Sequence, residues 1–336
     1  MPPRTDKKTT MGDVARHAGV SQMTVSRVMR RSGAVSDDVR DRVMLAAREL
    51  GYLHNRLATA LRTRSSPLVA VILPTLGNRV FAEILSGVND AVAKVGLRAV
   101  SGVTEYSEAQ EEALVRDLLS WQPRGLILPG LEHSQGTRAA LAAAQVEVVE
   151  VMDIDGDPVS VAIGVSQSAA GRDMASHLIA KGYRRFAYLG AQGGRDLRAK
   201  KRLDAFAATV LAAGATLLSP RIDDAPSSMV VGRRMTASLL SEESPDAIYF
   251  SNDDLAAGGL MHCLAHGIEV PRKIALAGFN GLAFTEALPL RLTTTRTPRY
   301  PIGYEAGRLL ASGTDGTRRE PRVIDMGLTL IPGETS

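Results

Sequence analysis

Ser21, Gln22, Thr24, Ser26, Arg27 and Arg30 crowd the stretch "GVSQMTVSRVMR", residues 19–30. Hydroxyl, amide and guanidinium groups at this density suit hydrogen bonds to phosphate oxygens and to the edges of bases. Val25 and Val28, three apart, anchor one helical face and leave the rest outward. A solvated surface helix has the same composition, so the residues around it must decide. Charge is the first of these. Residues 1–65 carry 13 Lys+Arg against 6 Asp+Glu, net +7, whereas the remainder carries 27 against 30, net −3. A basic end on a mildly acidic body points to a polyanionic partner at that end. Tyr52 is the sole aromatic residue before position 66, which argues against base stacking on single strands and for contacts to a duplex backbone.

Three short helices are expected to position these groups. The first runs from about Met11 to Ala18 with Thr10 as its cap, the second from the N-cap Ser21 to about Met29, and the third from Ser36 to Gly51. Asp37 and Asp38 stand in the third helix's first turn, where its dipole favours them. Ala15, Gly19 and Val25 have the spacing of a helix-turn-helix. A small residue sits where the helices touch, Gly19 can take positive φ in the turn, and a β-branched residue plugs the angle. With Val14, Val20 and Val28 they make a minimal core. Next comes "HNRLATALRTRSSP", basic and only marginally helical, which reads as a linker.

From Leu68 the texture changes. Apolar runs of strand length ("LVAVIL", "LRAVSGV", "GLILPG", "VEVVEV", "FAYLG", "AIYF", "IALAGF") alternate with helical stretches near residues 81–95, 108–121, 168–180, 198–213, 227–240 and 255–266. Such alternation gives parallel sheets with crossover helices, and about 270 residues of it call for two lobes. Ligands in these folds sit at the carboxyl ends of the strands. The tail "RVIDMGLTLIP" is expected to return to the first lobe.

Other signals are weaker. "DIDGD" resembles a calcium loop, but its glycine is misplaced and Gly164 stands where the bidentate glutamate belongs. His262 and His266 are four apart without a third ligand. "LGAQGG" lacks both phosphate-loop patterns, and no hydrolase signature is present. No metal or cofactor is therefore expected, and no enzyme. Cys263 is the single cysteine, within an apolar stretch, which fits a buried residue in a reducing compartment. No apolar run reaches membrane-span length and no secretory signal is visible, so the expected location is cytoplasmic.

"TMGDVARHAGVSQMTVSRVMR", "VSDDVRDRVMLAARELGY" and "NRLATAL" together resemble the lactose-repressor (LacI) family of bacterial regulators. Within it, "LPTLGNRVFAEIL", "VVEVMD", "LGA", "SNDDLAAG" and "LAGFNG" are similar to the gluconate-utilisation repressors. The resemblance spans essentially the whole chain. It implies an all-α helix-turn-helix module at 1–54, a hinge helix at 55–66, and an α/β core of two lobes at 67–336 like the type I periplasmic binding proteins. The first lobe would hold about 67–165 plus 296–330, the second about 166–295. It also implies a repressor that binds a palindromic operator in double-stranded DNA as a homodimer.

Matching positions make Gln22, Met23 and Arg27 base readers, and Thr10, Ser21, Thr24 and Ser26 phosphate holders. Gln22-Met23 differs from the Tyr-Gln pair of the lactose repressor itself, so operator preference does not transfer. Asn55, Ala58 and Leu61 would lie on the hinge helix, with Leu61 wedged into the minor groove to bend the duplex. For the effector, the resemblance implies Phe81 as an apolar platform and Asp153, Arg202, Asn252 and Asp253 as polar contacts, with Thr75 and Asn78 in the loop after the first strand as weaker candidates. A guanidinium at Arg202 favours a sugar acid such as gluconate. Asn280 stands where many relatives carry an acid, which removes a repulsion against an anion; it also reads as a turn residue before Gly281. Lys200 and Lys201 read as a surface cluster. The chain ends at "IPGETS" without a leucine heptad, which favours a dimer over a tetramer. Two rivals stand beside this reading. One is a corepressor-type regulator with a purine-like or phosphorylated ligand. The other is a sugar-binding or sugar-processing protein with an added DNA module.

Overall fold

A computed structural model describes residues 9–30, 33–53, 66–144, 146–313 and 321–336. The chain divides into two compact units, Met1–Ser66 and Pro67–Ser336.

The first unit is three helices, α1 (Met11–Ala18), α2 (Gln22–Arg30) and α3 (Asp37–Glu49). Thr10 starts α1 with a capping box. Its hydroxyl accepts from the Asp13 amide, and its own amide donates to Asp13 at 2.9 Å. Gly19 ends α1 at φ 64°, a left-handed conformation that costs glycine nothing. Ser21 caps α2 by accepting from the Thr24 amide at 3.1 Å. Val14, Val25 and Val43, one from each helix, are fully buried, with Ala15, Ala18, Val28, Ala46 and Ala47 around them.

The second unit contains two parallel sheets. Its first part runs β1 (Leu68–Leu73), α4 (Arg79–Ala93), β2 (Arg98–Val103), α5 (Glu108–Ser120), β3 (Gly125–Pro129), α6 (Gln135–Ala143), β4 (Glu147–Val151) and β5 (Val161–Gly164). The chain then crosses over. The second part runs α7 (Gln167–Ala180), β6 (Arg185–Gly190), α8 (Leu197–Ala212), β7 (Thr216–Leu217), β8 (Arg221–Ile222), α9 (Met229–Glu242), β9 (Ala247–Phe250), α10 (Asp253–Ala265), β10 (Ala275–Ala277) and β11 (Thr294–Arg296). It crosses back into α11 (Arg299–Ser312) and β12 (Arg322–Asp325), and again into β13 (Thr329–Ile331). The first sheet has the order β12-β5-β4-β3-β1-β2. The second has β10-β9-β6-β7, with β8 also on β6. Nearly every residue of β1, β3, β4, β5, β6 and β9 is buried, as strands covered by helices on both faces require.

The tail divides differently from expectation. β12 pairs with β5 at the edge of the first sheet. β13 pairs antiparallel with β11, and the residues after it bond to the second lobe, where the Leu276 amide donates to the Thr335 carbonyl at 2.8 Å. The first lobe is closed by α4 against α11. Gly87, Gly303 and Gly307 line that crossing, where a Cβ at 303 would fall onto the Ile84 carbonyl. No helix among the described residues is long and apolar enough to cross a membrane.

Candidate nucleic-acid interface and effector cleft

On α2, Val25 and Val28 face inward and Ser21, Gln22, Met23 and Arg27 face out, with Met23 63% exposed. Met23 thus leaves an apolar side chain among the outward polar groups of this face. Arg27 has no ion-pair partner among the described residues. Gly12 of α1 leaves room for the Gln22 amide, whose nitrogen lies 2.6 Å from where a Cβ at 12 would stand. Three of the expected phosphate holders also have local work. Thr10 bonds Asp13, and Ser21 and Thr24 share a hydroxyl bond of 2.9 Å that orders the first turn of α2. The α2 N-terminus is thereby capped, with the Thr24 and Val25 amides both bonded to Ser21. Asn55, Ala58 and Leu61 lie outside the described residues.

The cleft lies between the two lobes of the second unit, at the carboxyl ends of both sheets. Several helices begin there: α4 after its cap Asn78, α8 after Asp196 and α10 after Asn252. Their dipoles converge on one small space and favour negative charge in it. Thr75, Asn78, Phe81, Arg202, Asn252 and Asn280 all line this space. Its free volume is about 70 Å³, small beside the roughly 300–1,000 Å³ of ordinary ligand pockets. A neighbouring cavity of about 490 Å³ shares Tyr106 and Arg198 with the cleft as its wall.

Several of these side chains are partly committed. Asn78 accepts from the Val80 amide at 3.0 Å, and Thr75 from Gly77 at 3.1 Å. Asn252 accepts from the Leu255 amide at 3.1 Å and donates to Ser227 at 2.6 Å. Arg202, 4% exposed, donates to Gln167 at 2.5 Å and to the Ser251 carbonyl at 2.9 Å, and lies 3.7 Å over the Phe279 ring. Its Nε is buried without a hydrogen-bond partner.

Two expected contacts are corrected. Asp153 is fully buried, does not line the cleft, and is held by Lys201 at 2.6 Å and by the Asp155 amide at 3.0 Å. Burial raises its pKa against those bonds. Lys201 accordingly is not a surface residue. It reaches from α8 to Asp153, to Glu132 at 2.5 Å and to the Asp155 carbonyl at 2.7 Å, tying the second lobe to the loops after β3 and β4. Lys200 does stay outside, paired with Asp204. Asp253 is the other correction. It accepts from the Thr294 hydroxyl at 2.6 Å and the Leu282 amide at 2.8 Å, and burial pushes its pKa up to about 6 despite those bonds. In the first turn of α10 the next acid, Asp254, faces the cleft instead. A shift of one residue on a helix turns a side chain by about 100°, and no residue pattern in "SNDDLAAG" distinguishes the two.

Residues that sequence reasoning missed include Tyr106, Arg198, Asp196 and Phe279. One structural signature marks the place. Of the non-glycine residues with positive φ, Tyr106, Met152, Gln192 and Asn280 all line the cleft. Such conformations cost energy and collect at functional sites. Asn280, at φ 120° and 5% exposed, is both cleft wall and turn.

Residues 10–55 match the family model described as bacterial regulatory proteins, lacI family, and residues 175–336 match a periplasmic binding protein-like domain. The chain is 38% identical to the HTH-type transcriptional regulator GntR of Pseudomonas aeruginosa over 99% of its own length and 97% of that protein. It is 33% identical to the regulator of the same name from Escherichia coli K12, over 97% and 98%. A crystal structure of a LacI-family transcriptional regulator from Silicibacter pomeroyi shares 40% identity at a TM-score of 0.90, covering 97% of this chain and 99% of that one. The chain belongs to the LacI family: it is a DNA-binding transcriptional regulator, not an enzyme. Among its relatives in that family it lies close to the GntR regulators.

Proposed function

We propose that this regulator is a repressor of sugar or sugar-acid catabolism genes. It binds a palindromic operator as a homodimer in the cytoplasm and is released by a small sugar acid, gluconate being the first choice. Gln22, Met23 and Arg27 read bases from the exposed face of α2, while Thr10, Ser21, Thr24 and Ser26 order the helix start and meet phosphates. Asn55, Ala58 and Leu61 serve the minor groove. The effector sits in the cleft against Phe81, among Thr75, Asn78, Arg202, Asn252 and Asn280. The observation that carries the ligand class is electrostatic. Two buried guanidiniums, Arg198 and Arg202, and several helix N-termini face one small cleft in which position 280 is an amide. The similarity to gluconate-utilisation repressors in "LPTLGNRVFAEIL" and "LAGFNG" supports the same choice.

Binding between the two lobes changes how they close. That change is the means by which an effector alters operator affinity. The test begins by selecting tight binders for the full-length protein from a random duplex pool, then titrating gluconate into the complex. A palindromic consensus whose complex dissociates with gluconate, and not with glucose, supports the reading. Tightening by the ligand would make this a corepressor-type regulator. Response only to a purine or a sugar phosphate would replace the sugar acid.

A further inference from the structure

Resting on the sugar-acid reading above, we infer that Arg198, not Arg202, grips the carboxylate of the effector. Arg202 has its two terminal nitrogens on Gln167 and the Ser251 carbonyl, and its plane on Phe279. It is a strut of the second lobe with one Nε–H left over. Arg198 differs. It is 8% exposed, yet it makes no hydrogen bond to any described residue. Its single ion pair is a 3.4 Å approach to Asp196, whose same oxygen also caps α8 through the Ala199 amide. Its guanidinium lies 5.7 Å over the Phe81 ring, on the cleft side.

A guanidinium this little exposed that holds one 3.4 Å ion pair is under-satisfied, because most of its five N–H donors have no acceptor among the described residues. A planar carboxylate arriving in the cleft satisfies that fork in bidentate fashion. Phe81 below it offers an apolar floor for the sugar carbons. Asp196 and Asp254, also on the cleft wall, are acceptors suited to the hydroxyls of a polyol. Beyond Arg198 the adjoining cavity carries mixed charge: Arg195 lines it together with Glu108, Glu111 and Glu132, of which Glu111 is paired with His133 and Glu132 with Lys201.

The test uses the full-length protein and calorimetry with gluconate and its neutral amide gluconamide. The wild type should prefer gluconate over gluconamide by at least about 30-fold, the scale of a buried charge pair. Arg198→Gln should bind gluconate and gluconamide alike. In the absence of ligand it should melt close to the wild type, since only the 3.4 Å pair with Asp196 and the stack on Phe81 are lost. Retention of the preference by Arg198→Gln, or a marked drop in its ligand-free melting temperature, would overturn the role given to Arg198 while leaving the sugar-acid reading intact. A wild type indifferent to gluconate, 5-ketogluconate and galactonate would overturn the inference together with the reading it rests on.

Discussion

Arg27 and Asp253 show what a single side chain contributes. Arg27 is exposed on α2 and touches nothing that folding needs, so its replacement should leave the unit folded. Arg27→Ala is expected to lose about 1–3 kcal/mol of discrimination for the selected operator while keeping salt-dependent binding to random duplex, as read by fluorescence anisotropy across a salt series. Equal losses on both duplexes would remove Arg27 from base reading. Asp253 sits at the opposite extreme. It is fully buried and ties two segments together by accepting from Thr294 and Leu282. A carboxylate in a signature stretch is therefore not by itself a ligand contact. Which of two adjacent acids faces a cleft depends on the rotation of the helix that carries them.

The crossing of α4 and α11 illustrates an element whose role is visible only in three dimensions. Gly87 and Gly303 let the two helices approach until backbone meets backbone, and a side chain at either would strike a carbonyl of the other helix. Gly303→Val should destabilise the core by roughly 3 kcal/mol, at the upper end for an overpacked interior. Denaturant unfolding would show it as a lowered midpoint without loss of the first unit's helices. A midpoint equal to wild type would mean that the helices separate easily. Arg299, at the start of α11, adds two bonds of 3.0 and 3.1 Å to Glu83 of α4 and one to the Asn280 carbonyl, which couples the crossing to the cleft wall. Helix placement itself was largely legible, since "VRDRVMLAAREL" and its counterparts carry their own periodicity and caps. The short strand β5 and the helix α6 were not, because four apolar residues or an alanine-rich stretch carry no period of their own.

For the molecule as a whole, a buried charge cluster makes stability depend on pH. His133 lies with no exposed side-chain surface, 2.7 Å from Glu111 and 3.4 Å from Glu150. Burial pulls its pKa down, but the two carboxylates outweigh that and hold it at about 9. The folded value lies above the ordinary 6.5. The stability it contributes is therefore complete below about pH 6 and is lost as pH climbs through 9. The urea midpoint should fall between pH 7 and pH 10, and this slope should flatten in His133→Gln. An equal slope in both proteins would show that the cluster does not govern alkaline stability.

The sequence alone was enough to determine the helix-turn-helix, the alternation of strands and helices, the division near residue 66, and the residues with open functional groups on α2. These are local matters. Periodicity, capping hydroxyls, glycine in a tight turn and the sign of charge act within a few residues of chain, and the sequence states them directly. Only the tertiary structure decided which polar groups the fold itself consumes. Asp153, Lys201 and Asp253 are taken up by one another and by the loops, while Tyr106, Arg198 and Asp254 are left facing the cleft. That division depends on the distance between groups from separate crossovers. Lys201 and Asp153 are 48 residues apart and 2.6 Å from each other, and nothing in either segment records the meeting.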